Sequence, residues 1–312
     1  MTTSTHTAAH DLDAHPPRAR GIAKWWRGGG PGKIVFLLPT LFVFGVFSWW
    51  PILRGVVLCF QQTNMVTTRW VGFGNFVRVV SDPLTHTAAL NTLYFTVLAA
   101  LFGFAVPVVF ATLIAEMRRA RRIASVLVFL PIVMPPVVSV LLWKLFYNPG
   151  KTGLFNTVLA ALGLEPSGWL QDTLIAMPAI MVQVTWASFG SATVIYLAAL
   201  TSVPADQYDA AEIDGAGILK RFWHVTLPQL RGLLLLMLLL QVIGTFQIFT
   251  EPYLMTGGGP NNATLTILLH IFRYAFVGGD FGGATALSVL LAIFLGVLSA
   301  VYRRATRAWS MS

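Results

Sequence analysis

The chain has 312 residues, of which 56% are apolar and only 11% are charged. A soluble domain carries about 25% charged residues, so this sequence has too few to cover the outside of a soluble protein. With a mean hydropathy of +0.71, the composition argues against a two-domain soluble enzyme and indicates a polytopic membrane protein. The single cysteine, Cys59, excludes an intramolecular disulfide framework and a cysteine-rich metal site.

Membrane spans are predicted from seven stretches of 19 or more residues that contain no Asp, Glu, Lys or Arg. A charge at the bilayer centre costs roughly 2.5–3.5 kcal/mol on insertion scales, so such runs mark candidate membrane helices. One of the seven, 252–272, contains three glycines, a proline and two asparagines in succession, which would break a helix. The other six predict an all-α polytopic protein with six transmembrane helices, near 34–58, 92–116, 123–146, 174–201, 233–255 and 284–302.

The placement of Lys and Arg predicts the orientation of these spans. The chain has a net charge of +9 and contains 21 Lys and Arg residues. Of these 21, 15 fall in segments that six spans would place on one side of the membrane. We therefore expect a multi-pass protein of a cytoplasmic membrane with both termini cytoplasmic. Residues 1–33 are predicted to form a cytoplasmic N-terminal tail, 34–303 the transmembrane domain, and 304–312 a cytoplasmic C-terminal tail.

Signatures of catalysis and of metal binding are thin. The sequence has no His-Glu-x-x-His and no Cys-x-x-Cys, and its six histidines are scattered. We therefore predict no catalytic residue, no metal site and no cofactor bound by this chain. If ATP is used, another chain must bind it.

The loop 203–232 has the pattern of two short helices joined at a glycine. Ser202 can cap the first helix, and Gly215 can take the left-handed conformation that ends it. A second helix is predicted over 217–227, ended by Pro228. A plain connector that lies on the membrane would have the same pattern, so the pattern alone leaves the role of the loop open.

The same loop resembles the Glu-Ala-Ala (EAA) motif of ATP-binding-cassette (ABC) importer permeases, in the Asp-Gly-Ala version typical of the carbohydrate-importer group. Asp209 stands where the family usually has Glu, which keeps the charge and shortens the side chain by one methylene. A weaker match lies at 70–76, after the first span. The matching residues of the loop are Asp209, Ala210, Ala211, Glu212, Asp214, Gly215 and Ala216, followed by Phe222, Leu227 and Pro228. A second match, similar to a sequence after span five of maltose- and glycerol-phosphate-type permeases, is Thr256, Gly257, Gly258, Gly259 and Pro260.

This resemblance covers about 34–303 and implies the type I ABC importer permease fold, also called MetI-like. It implies one permease subunit of a bacterial binding-protein-dependent importer for a sugar, an oligosaccharide or a related polyol or sugar phosphate. The loop would be a coupling helix seated in a cleft of a separate ATPase subunit, which would hold ATP and Mg.

The resemblance also implies a set of partners. They are a second, homologous permease chain of the maltose transporter's G type, a dimer of ATPase subunits, an extracytoplasmic solute-binding (lipo)protein, the sugar itself and membrane lipid, with no nucleic acid. The binding protein would dock on the outer loops 61–90, 148–173 and 256–283.

Polar residues inside the spans are costly and tend to line cavities, so they predict a substrate path. Sugar-contacting positions of the family fall near four of them and near Ile248, which is apolar. Hydrogen bonding between helices is the alternative role for such residues. The predicted path residues are Trp186, Ser188, Ser191, Gln241, Thr245 and Gln247.

Two other interpretations of the chain remain. A stand-alone secondary transporter or membrane enzyme would need ionisable residues deep inside the spans, whereas those of the predicted spans, such as Arg54 and Glu251, lie near span ends. An amino-acid-type importer permease would usually lack both Asp-Gly-Ala and Thr-Gly-Gly-Gly-Pro.

Overall fold

The computed structural model describes residues 30–64, 66–117, 121–150 and 152–310 of a largely helical chain. Residues 1–29 of the predicted N-terminal tail lie outside the described residues. The chain divides into two compact units, Met1–Gly55 and Val56–Ser312. The regular elements are α1 Gly30–Phe44, α2 Trp50–Leu58, β1 Gln61–Thr63, β2 Thr68–Trp70, α3 Gly74–Ser81, α4 Pro83–Leu98, α5 Ala105–Glu116, α6 Arg121–Val133, α7 Pro136–Phe146, α8 Leu154–Ala161, α9 Ala176–Leu200, α10 Ala205–Ile213, α11 Ile218–Arg221, α12 Leu227–Phe246, α13 Thr250–Thr256, α14 Ile267–Phe272 and α15 Phe281–Ser310.

Within the described residues, five apolar helices are long enough to cross a membrane, and a bent pair of helices makes a sixth. The number of predicted spans is therefore reached when the bent pair is counted as one. In chain order, spans 1 to 6 are Gly32–Leu58, Pro83–Glu116, the pair Arg122–Val133 with Pro136–Phe146, Ala176–Leu200, Ile218–Phe246 and Phe281–Arg307. Helix α15 continues to Ser310, so most of the predicted C-terminal tail is helical.

Span 3 is not the continuous helix that the sequence predicts over 123–146. It bends by 99° between α6 and α7. Pro135 has φ −58° and ψ 133°, which is an extended conformation, and Pro136 is the first residue of α7. Two successive prolines bring no N–H to this point of the chain, and a residue before proline is disfavoured in the helical region. These two effects explain the break.

Span 5 begins earlier than predicted, because Pro228 does not end a helix. The chain is helical from Ile218 to Phe246 and passes through a π-helical turn at Phe222–Thr226. Pro228 lies in the first turn of α12, directly after this turn. The widened turn removes the need for an N–H at the proline, so the predicted end of the helix at this residue is wrong.

Two further boundaries differ from the prediction. Span 5 ends at Phe246, and Thr250–Thr256 forms the separate helix α13. Ser202 does not cap α10, because its hydroxyl donates to the carbonyl of Ala199 at 2.6 Å. The residue before α10 is Pro204, which makes no side-chain cap.

Span 4 packs against spans 2, 3 and 5 in the second unit. Gly190 is the point of closest approach: a Cβ there would lie 2.2 Å from the carbonyl oxygen of Val128 and 2.7 Å from Ile132 Cγ1. The absence of a side chain at Gly190 therefore lets the backbones of spans 3 and 4 approach closely. We call the end of these spans that carries residues 201–217 the loop end, and the other the opposite end.

A short antiparallel hairpin follows span 1, with Gln61 opposite Trp70 and Thr63 opposite Thr68. Phe60 stacks on Trp70 at a centroid distance of 5.8 Å. The Asn75 amide of α3 donates to the carbonyl of Gln61 at 2.9 Å, which fixes the hairpin to the helix that follows it.

Candidate coupling loop and translocation path

Helix α10 carries most of the predicted coupling residues, and the chain reverses directly after it. Gly215 has φ +74°, the left-handed conformation that the sequence predicts for it. The N–H of Ala216 donates to the carbonyl of Ala211 at 2.9 Å, which closes the C-terminal turn of the helix. No described atom lies within 4 Å of a Cβ built at Gly215, so this position requires glycine for its backbone angle and not for space.

The surface of this loop is charged and apolar at once. The side chain of Glu212 is 61% exposed, and Asp209, Ala210 and Asp214 are also exposed. Ile213, between two residues of the motif, is 87% exposed, and Leu219, beyond the motif, is 72% exposed. Two exposed aliphatic side chains therefore lie beside the exposed carboxylates of this loop. Sequence reasoning did not single out Ile213 or Leu219, because neither belongs to a polar pattern.

Hydrogen bonds hold α10 to span 5. The Tyr208 hydroxyl and the Thr226 hydroxyl are 2.8 Å apart. The Gln229 amide donates to Gln207 Oε1 at 3.0 Å. Tyr208 also packs against a buried apolar cluster to which Ala111 of span 2 belongs. The exposed helix is therefore anchored to the spans along one side.

The hydroxyls of the path residues in span 4 are engaged within their own helix. Ser188 Oγ donates to the carbonyl of Val184 at 2.9 Å, and Ser191 Oγ donates to that of Ser188 at 3.1 Å. Intrahelical bonds of this kind let a hydroxyl sit in an apolar span without a partner on another helix.

The path residues in span 5 have three different environments. Thr245 is 5% exposed, and its hydroxyl contacts the Thr96 hydroxyl of span 2 at 3.2 Å. Gln241 Nε2 lies over Gly103, where an added Cβ would be 3.0 Å away. Gln247 is exposed and donates to the carbonyl of Ile243.

An apolar cleft of about 550 Å³ lies between spans 2, 3 and 4. Of the six predicted path residues, Trp186 lines it, with its ring centroid 5.7 Å from that of Trp143. Thr185 lines it as well, and its buried Oγ1 has no hydrogen-bond partner among the described residues. The remaining lining residues are Leu98, Phe102, Val106, Phe110, Pro178, Met181, Val182 and Phe189.

At the opposite end, the predicted Thr-Gly-Gly-Gly-Pro motif forms a turn after α13. Gly257 has φ +60° and Gly258 has φ +90°. Arg273 Nη2 donates to the carbonyl of Gly257 at 2.6 Å and would lie 2.8 Å from a Cβ at Gly258. Thr256 and Thr264 join their hydroxyls at 2.6 Å across the turn. The motif is therefore a rigid feature, since its glycines supply both left-handed angles and room for an arginine.

A polar network at the same end joins α4 to α14. Asp82 Oδ2 accepts from the Tyr274 hydroxyl at 2.6 Å and lies 3.2 Å from His270 Nε2. Burial opposes ionisation of Asp82, but the hydrogen bonds from Tyr274 and from the N–H of Leu84, together with the interaction with His270, outweigh it. The pKa of Asp82 therefore lies below its usual value. Burial also lowers the pKa of His270, which favours the neutral imidazole.

A profile of the family described as the inner membrane component of binding-protein-dependent transport systems matches residues 107–309, well over half of the chain. This chain belongs to that family. The match contains the whole coupling loop and the Thr-Gly-Gly-Gly-Pro turn, so both predicted motifs lie within the family's core. The chain is thus a multi-pass membrane permease.

Alignments with individual relatives cover more of this permease than the profile match does. It is 32% identical over 275 residues to a trehalose/maltose transport system permease protein of Thermococcus litoralis, covering 88% of this chain and 92% of that protein. It is 32% identical over 271 residues to a lactose transport system permease protein of Rhizobium radiobacter, covering 85% and 90%. A chain of a bacterial ABC transporter that imports the acidic polysaccharide alginate superposes with a TM-score of 0.82 at 25% identity, covering 91% of this permease and 99% of that chain.

Proposed function

We propose that this permease forms half of the translocation path of a binding-protein-dependent importer for a sugar, an oligosaccharide or a related polyol or sugar phosphate. The observation that carries the proposal is the exposed helix α10, with its reversal at Gly215, anchored to spans 2 and 5. Relatives named for trehalose/maltose and lactose transport support the substrate class.

We infer that α10 and residues 214–216 dock into a separate ATPase subunit that binds ATP and Mg. Asp209, Glu212 and Asp214 would face the partner with their carboxylates, and Ile213 would supply apolar contact. The surplus of Lys and Arg at the loop end supports a cytoplasmic location for this end and for both termini.

The opposite end would then receive a solute-binding protein. A structure similar in fold to this chain belongs to an alginate transporter in complex with an alginate-bound periplasmic protein, which supports a partner of this class. A second, homologous permease chain would supply the other half of the path. In this arrangement, Gln241 and Thr245 of span 5, Trp186, Ser188 and Ser191 of span 4, and Gln247 remain the candidates that contact the sugar.

The test compares Gly215→Val with Gly217→Val in cells that also express the genes adjacent to this one. Gly215 has a left-handed backbone, whereas Gly217 has φ −67° and no described atom within 4 Å of an added Cβ. Valine is therefore strained at 215 and fits at 217. We expect Gly215→Val to abolish uptake of radiolabelled maltose, trehalose and lactose and to lose the copurified ATPase, while membrane insertion is kept.

The Gly217→Val permease should retain uptake and the ATPase. Equal uptake by both variants would contradict the docking role of the reversal. Solute movement by the chain reconstituted alone in lipid vesicles would favour a secondary transporter instead.

A further inference from the structure

Arg221 occupies a junction of three elements at the loop end. It is the last residue of α11 and lies in the first turns of span 5. Its Nη2 is 3.0 Å from Glu116 Oε2, and its Nη1 is 3.3 Å from Glu212 Oε2. Glu116 is the last residue of span 2, and Glu212 belongs to α10. One guanidinium therefore joins the proposed coupling helix to two spans.

The burial of this junction distinguishes it from an ordinary surface ion pair. The side chain of Arg221 is 14% exposed and that of Glu116 is 24% exposed, whereas that of Glu212 is 61% exposed. Exposed ion pairs contribute little, while partly buried charged hydrogen bonds are stronger and less screened by salt. The contact between Arg221 and Glu116 is thus the firmer of the two.

The other hydrogen bonds of α10 reach a different span. Tyr208 contacts Thr226, and Gln207 contacts Gln229, and both partners lie on the helix of span 5. Through Glu116, Arg221 also contacts span 2. Span 2 carries Thr96, which lies beside Thr245, and Gly103, which lies beneath Gln241. A displacement of α10 that reaches span 2 would therefore reach the polar side chains at mid-span.

The guanidinium also has the chemistry for a contact that persists during movement. Its two Nη atoms hold the two carboxylates, and its buried Nε has no hydrogen-bond partner among the described residues. The planar fork of arginine can hold two carboxylates in fixed directions, which a lysine ammonium cannot do. Glu116 and Glu212 are thus kept together by geometry as well as by charge.

We propose that Arg221 is a positioning residue that makes α10 and the end of span 2 move together, through its contact with Glu116. This inference rests on the proposed function, since it assigns the route by which a docked ATPase would move span 2. Loss of the contact would remove the charged link between α10 and the end of span 2, and would leave the hydrogen bonds to span 5 and the apolar packing of Tyr208 beside Ala111.

The experiment measures the distance between spin labels at Ala115→Cys in span 2 and Ala205→Cys in α10. Both alanines are exposed, and the natural Cys59 is 1% exposed, so labelling of this chain is confined to the introduced sites when the partner chains carry no exposed cysteine. The protein is the complex purified with its ATPase in lipid nanodiscs. Pulsed electron resonance compares the complex without nucleotide and after trapping with ATP, Mg and orthovanadate.

With the native junction, we expect one narrow distance that shifts by less than about 2 Å on trapping, the scale of small helix displacements. In Glu116→Gln, the distribution should broaden and shift by more than that, while the ATPase still copurifies and still hydrolyses ATP. Lys220→Gln is the matched control, because it removes the adjacent, exposed positive charge and should behave as the native complex.

A charge exchange separates positioning from folding. Glu116→Arg combined with Arg221→Glu rebuilds the pair with its charges reversed, and the exposed Glu212 can turn towards water. We expect the exchange to restore the narrow distance, also where Glu116→Gln alone fails to assemble. An unchanged distance in Glu116→Gln, equal effects of Lys220→Gln and Glu116→Gln, or no recovery by the exchange would each overturn the proposal. A native complex that copurifies no ATPase would instead contradict the proposed function.

Discussion

The two ends of the membrane unit are built differently. At the opposite end, Asp82, His270 and Tyr274 form a partly buried network, and Arg273 clamps the turn after α13. At the loop end, α10 presents exposed carboxylates and is held to the spans by side-chain contacts of Gln207, Tyr208 and Glu212. A network of charged hydrogen bonds resists rearrangement, whereas a helix held by few contacts can shift as a body. The comparison indicates a rigid frame at the opposite end and a helix that can shift as a body at the loop end.

Glycine has a different purpose at each end. Gly215 and Gly258 both have left-handed backbones, with φ +74° and +90°. Space around Gly215 is open, but Gly258 is in contact with the guanidinium of Arg273. Two hydrogen bonds fix that guanidinium, one to the carbonyl of Gly257 and one to Asn262 Oδ1 at 3.0 Å, so it cannot easily move aside.

The largest loss of stability is expected for Gly258→Ala. Its methyl group would add the strain of a left-handed alanine to the displacement of Arg273, at a cost of about 2–4 kcal/mol. Gly215→Ala meets only the strain, about 1–2 kcal/mol. Thermal unfolding of the two purified variants should therefore give the lower melting temperature for Gly258→Ala. The reverse order would mean that the turn at the opposite end is not the more rigid one.

A smaller loss is expected for Asp82→Asn. The amide can still accept from the N–H of Leu84, but it weakens the bonds to Tyr274 and His270, at a cost of about 1–3 kcal/mol. Tyr274→Phe removes one of these bonds and should cost about 1 kcal/mol. The free energy of unfolding of both variants is measured by denaturation in detergent, with Tyr253→Phe, at an exposed tyrosine, as the control. A control that loses as much as Tyr274→Phe would show that the network adds nothing.

The pH dependence of stability should also report on the opposite end. The pKa of His270 is lowered in the folded protein, so as the pH falls the unfolded chain takes up its proton first. The stabilisation by neutral His270 is complete above pH of about 6.5 and declines as the pH falls towards its folded pKa. The melting temperature should therefore fall as the pH is lowered from 7.5 to 5.5.

His270→Gln should flatten that decline, and the exposed His86→Gln should not. The groups that face His270 are Asp82, Arg273 and Tyr274. Asp82 loses its contribution only at much lower pH, because its folded pKa lies below its usual value. If the melting temperature of His270→Gln fell with pH as steeply as that of the native protein, the decline would belong to another group.

The smallest effect is expected for Thr245→Val, between the two ends. Its hydroxyl is buried and already contacts Thr96 and the carbonyl of Val242. Hydrogen bonds between membrane helices average about 0.6 kcal/mol, so the melting temperature should barely change. Sugar uptake by this variant, compared with that of Gln241→Leu, measures which of the two side chains contacts the substrate. Abolished uptake in Thr245→Val alone would assign the contact to the threonine.

Sequence reasoning found the spans because the cost of burying charge leaves long charge-free runs. It predicted helix breaks wrongly at prolines, because whether a proline breaks a helix depends on the residues around it. Pro135 and Pro136 break span 3, whereas Pro228 is absorbed by a π-helical turn within a continuous helix. The residue type was the same in both places, but the number of successive prolines and the local backbone geometry were not.

The chain reversal at Gly215 could be predicted because the residues that form it are contiguous in the sequence. The contact of Arg221 with Glu116 could not, since the two residues are 105 positions apart and nothing in either segment pairs them. The same limit applies to Asp82 and Tyr274, which are 192 positions apart. Thr185 was missed because its hydroxyl looks ordinary in sequence and differs from others only in lacking a partner among the described residues.

The bend in span 3 has a consequence for how solvent reaches the middle of the bilayer. Helix α7 has 11 residues and helix α6 has 13, so the two rods are about 17 and 20 Å long, each shorter than a hydrocarbon core of about 30 Å. Pro136 cannot donate to the carbonyl of Ile132, as the next helical turn would require. That carbonyl needs a donor from neighbouring protein or from water, because lipid tails offer none. Water that donates to this carbonyl could therefore enter the membrane interior at the bend between α6 and α7.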